Sequence, residues 1–276
     1  MVSYIICYII ALGADLAISF ANGYFNQYHW YIPILIYIPL LLACFAFVFF
    51  LIFALAIPIR VKQDFADKEN KFARFMIEEG FTFINIMARA KVKVIGKEKL
   101  PKDRKFLLIS NHRSKFDSMI MNDKFKGYHL SFIGKRSLFK IPLVSKYISR
   151  CCFLPIDRED LRQSLKVIQK ATAYIKDDIV NVGVFPEGTR NTNKDPLPLL
   201  PFKAGCLKIA YQAQCPIIIV VTKNTEKIHK NFPFKRTKVT LKVCEIHEFE
   251  EFSKYTTSEL AEILQQEMEA DIKSIE

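Results

Sequence analysis

Twenty-nine consecutive residues, "YIPILIYIPLLLACFAFVFFLIFALAIPI" from Tyr31 to Ile59, contain no charged side chain. Wound into a helix at ~1.5 Å per residue, such a run exceeds the ~30 Å hydrocarbon core of a bilayer, so the first expectation is a segment that spans a membrane. Upstream, "YIICYIIALGADLAISF" from Tyr4 to Phe20 is shorter and contains Asp15. It is open to a second span, a re-entrant piece or an interfacial helix, and a two-helix hairpin over residues 1–59 is the arrangement expected. A cleaved signal peptide fits less well: no basic segment precedes the apolar run, and a far longer apolar run follows it.

Charge divides the chain at the same place. Up to Ile59 there is no Lys or Arg and one acid, Asp15, whereas all 40 basic residues and the other 27 acids follow. The later part therefore carries 40 − 27 = +13. In the connector "ANGYFNQYHW", Tyr24, Tyr28, His29 and Trp30 are rings of the kind that sit at headgroup depth. Arg60, Lys62, Lys68 and Lys71 follow the long apolar run, which by the positive-inside rule places the body in the cytoplasm. A basic body tied to a bilayer faces anionic headgroups. Nucleic acid is the rival polyanion, although no nucleic-acid-binding motif is present, and generic solubility charge is a third reading. Seven cysteines, an odd count without CxxC spacing, fit a reducing compartment and suggest neither a zinc site nor a disulfide framework.

Within the body, Asp64 to Arg89 places Phe65, Phe72, Phe75, Met76, Phe83 and Met87 at mostly helical spacings. Residues 60–90 thus read as an amphipathic helix and linker that lies on the membrane or packs on the body. Short apolar runs then recur with helical segments between them. "KVKVIG" alternates like a half-buried strand, while "FLLIS", "VNVGVF" and "PIIIVVT" read as buried strands of an α/β sheet. Leu161, Leu165, Ile168 and Ile175 mark one helix, and Leu207 with Ala210 a shorter one. Thr256 with Glu259 forms a capping-box pattern before Leu260, Ile263, Leu264, Met268 and Ile272.

Two polar clusters directly follow two of these strands, where ligands bind in α/β sheets. "NHRSKFD" follows "FLLIS". It is either a solvated turn or a base, His112, with an orienting carboxylate, Asp117, that fixes its tautomer and stabilises the imidazolium. No GxSxG elbow accompanies the pair, so the nucleophile would come from the substrate. "FPEGTR" follows "VNVGVF". Pro186 and Gly188 bend the backbone, Glu187 is an acceptor for hydroxyls, and Arg190 offers a bidentate fork to phosphate; the alternative is a β-turn with an internal Glu–Arg pair. Arg158 of "IDR" is a second phosphate-facing candidate or, with Asp157, part of a helix N-terminus. Lys135 and Lys203 are further cationic candidates, with a solvated lysine as the alternative.

In order and spacing, "NHRSKFD", "FIGKRSLFKIP", "FLPIDR", "FPEGTR", "FKAG" and "CPIIIVV" resemble the motif blocks of the 1-acyl-sn-glycerol-3-phosphate acyltransferase family, from about Lys91 to Val221. The resemblance implies an α/β acyltransferase fold of glycerolipid type, a mixed sheet flanked by helices over residues 91–276, behind the N-terminal transmembrane anchor. It implies acyl transfer from a thioester, acyl-coenzyme A or acyl-acyl carrier protein, to the sn-2 hydroxyl of lysophosphatidic acid. His112 would be the base and Asp117 its partner. Glu187, Gly188, Thr189, Arg190 and Arg158, with Lys135 and Lys203, would hold the glycerol phosphate, and no metal or cofactor is implied. Two positions depart from the pattern. Cys152 stands where related sequences usually carry glycine, and Pro155 should put its segment at a sheet edge or outside the sheet. The shared "HRS" keeps glycerol 3-phosphate or another lysophospholipid open as acceptor, and a non-catalytic lipid-binding protein would keep the cations without needing His112.

Overall fold

The computed structural model describes residues 2–25, 29, 31–56 and 65–275, and the chain divides into two units, Met1–Arg60 and Val61–Glu276. The first holds α1 (Val2–Ala21) and α2 (Ile32–Ala56), which pack on one another with the Tyr8 ring edge-on to Phe45 at 5.8 Å. Cys7, Ala11, Asp15 and Ser19, spaced four apart, form the buried stripe of α1. The Ser19 hydroxyl reaches the Asp15 carboxylate at 3.5 Å. Outward-facing residues are apolar, among them Ile9, Ile10, Phe20, Leu35, Leu42 and Phe47. The expected transmembrane span is not shown: among the described residues no helix is long and apolar enough to cross a membrane. Tyr28, Trp30, Arg60 and Lys62 lie outside the described residues.

The second unit is built on a seven-stranded sheet: β1 (Ala90–Ile95), β2 (Leu107–Ser110), β3 (Leu130–Lys135), β4 (Leu154–Ile156), β5 (Asn181–Val184), β6 (Ile217–Lys223) and β7 (Thr237–His247). Its order is β1-β7-β6-β2-β5-β3-β4. Only the β6–β7 pair is antiparallel, so the sheet is mixed, as expected. β2, β5 and most of β6 are buried on every residue because helices cover both faces, which is why they read as unbroken apolar runs. β4, with Pro155, is an edge strand, where a missing backbone N–H costs least.

The helices of this unit are α3 (Lys71–Met87), α4 (Asp117–Lys124), α5 (Val144–Arg150), α6 (Leu161–Lys176), α7 (Lys208–Ala213), α8 (Glu226–Asn231), α9 (Phe249–Phe252) and α10 (Thr257–Ser274). Leu107, Ile109, Val182, Val184, Ile217 and Ile219 form one core with Val167 and Ala171 of α6, Ile209 of α7 and Leu264 and Met268 of α10. The capping box of α10 forms, Thr256 Oγ1 accepting from Glu259 N–H and Glu259 accepting from Thr256 N–H at 2.8 Å.

α3 packs on the body through a mixed face, with Ala73, Ile77 and Phe81 buried beside Arg74, Thr82 and Asn85. Asn70 caps it, accepting from Ala73 N–H at 2.9 Å. The buried Arg74 guanidinium donates to the Leu130 and Cys151 carbonyls, Asn122 and Ser131, and is ion-paired with Glu69, so its charge is fully partnered. Thr82 donates to the Asp123 carboxylate of α4 at 2.5 Å. Other apolar side chains of α3 point the other way, with Phe72, Phe75, Phe83, Ile86 and Met87 exposed.

Candidate active site

β2, β5, β3 and β4 are mutually parallel neighbours, so the residues that follow them emerge at one edge of the sheet. After β2 the chain turns through 111–116 and enters α4 at Asp117. Asn111 pins the turn to β6, donating to the Thr222 carbonyl at 2.9 Å and accepting from its N–H at 2.8 Å. Asp117, fully buried, gathers three groups on Oδ2: His112 Nδ1 at 2.8 Å and the backbone N–H groups of Arg113 and Ser114 at 2.8 Å each. A carboxylate only accepts, so Nδ1 carries the proton and Nε2 has a free lone pair. The imidazole stacks on Phe185, centroids 4.1 Å apart and planes 17° apart, and Phe185 stacks on Phe132 at 5.3 Å. The His112 side chain is one-fifth exposed, open to a reactant and closed to bulk solvent on its stacked face.

The "FPEGTR" turn locks onto this loop. Glu187 accepts from the backbone N–H of His112 at 2.7 Å with one oxygen and of Leu200 at 3.0 Å with the other. Asn191 N–H donates back to the His112 carbonyl at 2.7 Å. Burial pushes the Glu187 carboxyl above its usual range, partly offset by those two N–H donors. Rather than facing a substrate hydroxyl, Glu187 braces the backbone of the base. Arg113 braces as well: nearly buried, it donates to the carbonyls of Asn191 and Asn193 at 2.8 and 2.9 Å. Asn111, Arg113, Asn191 and Phe185 were missed as site residues in the sequence. Their one signal is position, directly beside His112 or in the cluster that closes on it.

The cations fall into two places. Gly188, at φ 71°, sits under the Lys203 side chain: a Cβ there would lie 2.8 Å from Lys203 Cε and 3.1 Å from Nζ. Thr189 and Arg190 follow on the exposed surface. Lys135 and Arg158, also exposed, leave the ends of β3 and β4 and together line a cleft of about 400 Å³ with Arg136, Lys140 and Asp157. Strands lie ~4.8 Å apart, so Lys135 starts roughly 10 Å along the edge from the His112 strand. Asp157 pairs loosely with Arg136 at 3.8 Å, and the helix N-terminus is capped by Asp160 instead. Cys152, where glycine was expected, holds φ 61° while fully buried, a conformation glycine adopts without strain.

Residues 91–223 match the Acyltransferase family model. That segment is similar to the family. The 1-acyl-sn-glycerol-3-phosphate acyltransferase of Saccharomyces cerevisiae is 28% identical over 194 residues, 70% of this chain and 63% of that protein. The 1-acyl-sn-glycerol-3-phosphate acyltransferase alpha of Ovis aries is 30% identical over 179 residues, 63% of this chain and 58% of its own length. The chain thus spans about three-fifths of these curated relatives. The crystal structure of the 1-acyl-sn-glycerophosphate (LPA) acyltransferase PlsC from Thermotoga maritima matches with a TM-score of 0.59 at 26% identity, over 75% of this chain and 81% of that chain. The mixed sheet with flanking helices is shared with that enzyme.

Proposed function

We propose that the protein moves a fatty acyl chain from a thioester, acyl-coenzyme A or acyl-acyl carrier protein, to the sn-2 hydroxyl of lysophosphatidic acid, giving phosphatidic acid. The observation that carries this reading is the His112–Asp117 pair, with its imidazole held as an Nδ1–H tautomer and Nε2 free at the edge where the cations gather. The acceptor oxygen attacks the thioester carbonyl carbon while Nε2 takes its proton. The C–O bond forms, the C–S bond breaks, and the imidazolium returns the proton to the departing thiolate. Asp117 stabilises the imidazolium and keeps the ring aimed. No acyl-enzyme is needed. Arg190 and Lys203 beside Gly188, with Lys135 and Arg158, supply positive charge for the acceptor's phosphate.

The proposal includes attachment to a bilayer, with the body on the cytoplasmic face. Supporting it are the uncharged run from Tyr31 to Ile59, the cations after it, and the apolar outer surfaces of α1 and α2. A lysolipid's chain stays in the bilayer; lifting it into water costs ~0.8 kcal/mol per methylene, so an interfacial site meets its acceptor at far lower cost. The test is acyl transfer in membranes carrying the protein or its His112→Ala form. Labelled lysophosphatidic acid and glycerol 3-phosphate are offered side by side with both donors. Phosphatidic acid from the lysolipid, made only by the unmodified protein, is the expected result. Transfer to glycerol 3-phosphate moves the acceptor, and no transfer from any pair overturns the reading.

A further inference from the structure

The strand register brings a second surface to the edge that carries His112. β7 runs antiparallel to β6 with Thr240 opposite Lys223, so Thr237, where β7 starts, lies beyond the ends of β6 and β2. β1 runs parallel to β7 with Ala90 opposite Thr237, so Arg89 and the last turn of α3 reach the same edge. The two are joined: Arg89 Nη1 donates to the Phe234 carbonyl at 2.9 Å, and Thr237 N–H donates to the Arg89 carbonyl at 3.1 Å. At this junction large apolar side chains face outward. Phe234 is 83% exposed, Phe232 51%, and Ile86 and Met87 53% each. α3 meets the body with Ala73, Arg74, Ile77, Phe81, Thr82 and Asn85, so Ile86 and Met87 are apolar side chains left uncovered by that contact.

Charge says what covers it. Between Glu226 and Glu245 there is no acid, and Lys227, Lys230, Lys235, Arg236 and Lys238 lie around the two phenylalanines. A second copy would set these cations against each other, whereas an anionic bilayer takes apolar tips into its acyl boundary and meets the cations with phosphate.

We propose that this corner, Ile86 and Met87 of α3 with Phe232 and Phe234 of the turn between α8 and β7, is a membrane-contact surface. It seats the body on an anionic bilayer with the His112 edge toward the lipid. The contact rests on the proposed acyl transfer only for its purpose and is tested apart from it. In full-length protein carrying Trp30→Phe, which removes the one native tryptophan, Phe234→Trp is compared with Tyr255→Trp. Tyr255 follows α9, beyond His247 and therefore at the opposite end of the sheet. With vesicles of phosphatidylcholine and acyl-brominated phosphatidylglycerol, the tryptophan at 234 is expected to be quenched by the bromine and shielded from aqueous iodide, and the one at 255 neither. Adding Lys235→Glu and Arg236→Glu should reverse both effects at 234.

Equal iodide access at 234 with and without vesicles overturns the proposal, as does shielding before any lipid is added, the signature of a second copy. Phe232→Ser with Phe234→Ser should slow transfer to a vesicle-borne acceptor several-fold and leave transfer to a short-chain, water-soluble acceptor unchanged; equal slowing of both also overturns it. If no form transfers acyl groups, the catalytic reading falls while the quenching still decides the membrane contact.

Discussion

The two halves of the candidate site are built in opposite ways. Around His112 everything is fixed: Asp117 collects three donors on one oxygen, Glu187 and Asn191 hold the backbone from both sides, and two aromatic rings back the imidazole. Around the cations little is fixed, since Arg190, Lys203, Arg158 and Lys135 are exposed side chains at strand ends and in loops. A base must be aligned to a fraction of an ångström to take a proton, so its surroundings are over-determined. A phosphate dianion is held by summed charge, which long, mobile side chains deliver from several directions. Substitutions in the first half should therefore abolish turnover, and those in the second should grade it.

The largest expected effect is that of His112→Ala, a loss of at least ~10²–10⁴-fold in turnover with only a small fall in melting temperature, because the partly exposed ring gives up its stack on Phe185 and one bond to Asp117 while the two backbone donors to that carboxylate remain. Asp117→Ala should lose turnover comparably and also lose roughly 1–3 kcal/mol of stability, since it strips an acceptor from two backbone N–H groups as well as from the ring. Chemical denaturation separates the two variants. Equal stability would mean that Asp117 serves only the imidazole, and the contrast between the halves would narrow. Arg190→Ala should raise KM for the phosphorylated acceptor about tenfold and change kcat much less, the pattern of a binding charge worth ~1.4 kcal/mol. A collapse of kcat instead would place Arg190 with the fixed half.

The sequence made the fixed half more visible than the mobile one, for physical reasons. β2, β5 and β6 are covered on both faces and so read as apolar runs, and the clusters at their ends could be placed on one edge before the sheet order was known. The five-residue spacing of His112 and Asp117 carries the chain from a strand end to a helix start, which is the geometry observed. Burial direction was less legible. Glu187 looked like a ligand group, but nothing local distinguishes a carboxylate facing the crevice from one folded beneath it. The phenylalanines of α3 looked equally suited to core or membrane, because the network that turns Arg74 inward draws on Glu69, Asn122, Ser131 and backbone carbonyls distant in sequence. β7 alternates Val239, Leu241 and Val243 inward, a period-two signal that was present and went unread behind its intervening lysines.

The smallest expected effect sharpens the role of Glu187. Its buried carboxyl has a raised pKa, burial outweighing the two backbone donors. Between the unfolded value near 4.5 and the raised folded value, the folded chain holds more protons than the unfolded one. Stability in that window therefore falls as pH rises, and the cost of keeping the buried group ionised is fully present above it. Glu187→Gln removes the titration. It also leaves one backbone N–H, of His112 or of Leu200, facing an amide NH₂, a loss of about 1 kcal/mol that opposes the relief of burying a charge. Near neutral pH the two effects offset, so the variants should differ little in urea midpoint there. On acidification toward pH 4.5 the unmodified protein should gain on Glu187→Gln. Parallel midpoint curves across that range would mean that Glu187 is solvated in solution, in which case it would belong to the exposed, phosphate-facing half rather than to the scaffold of the base.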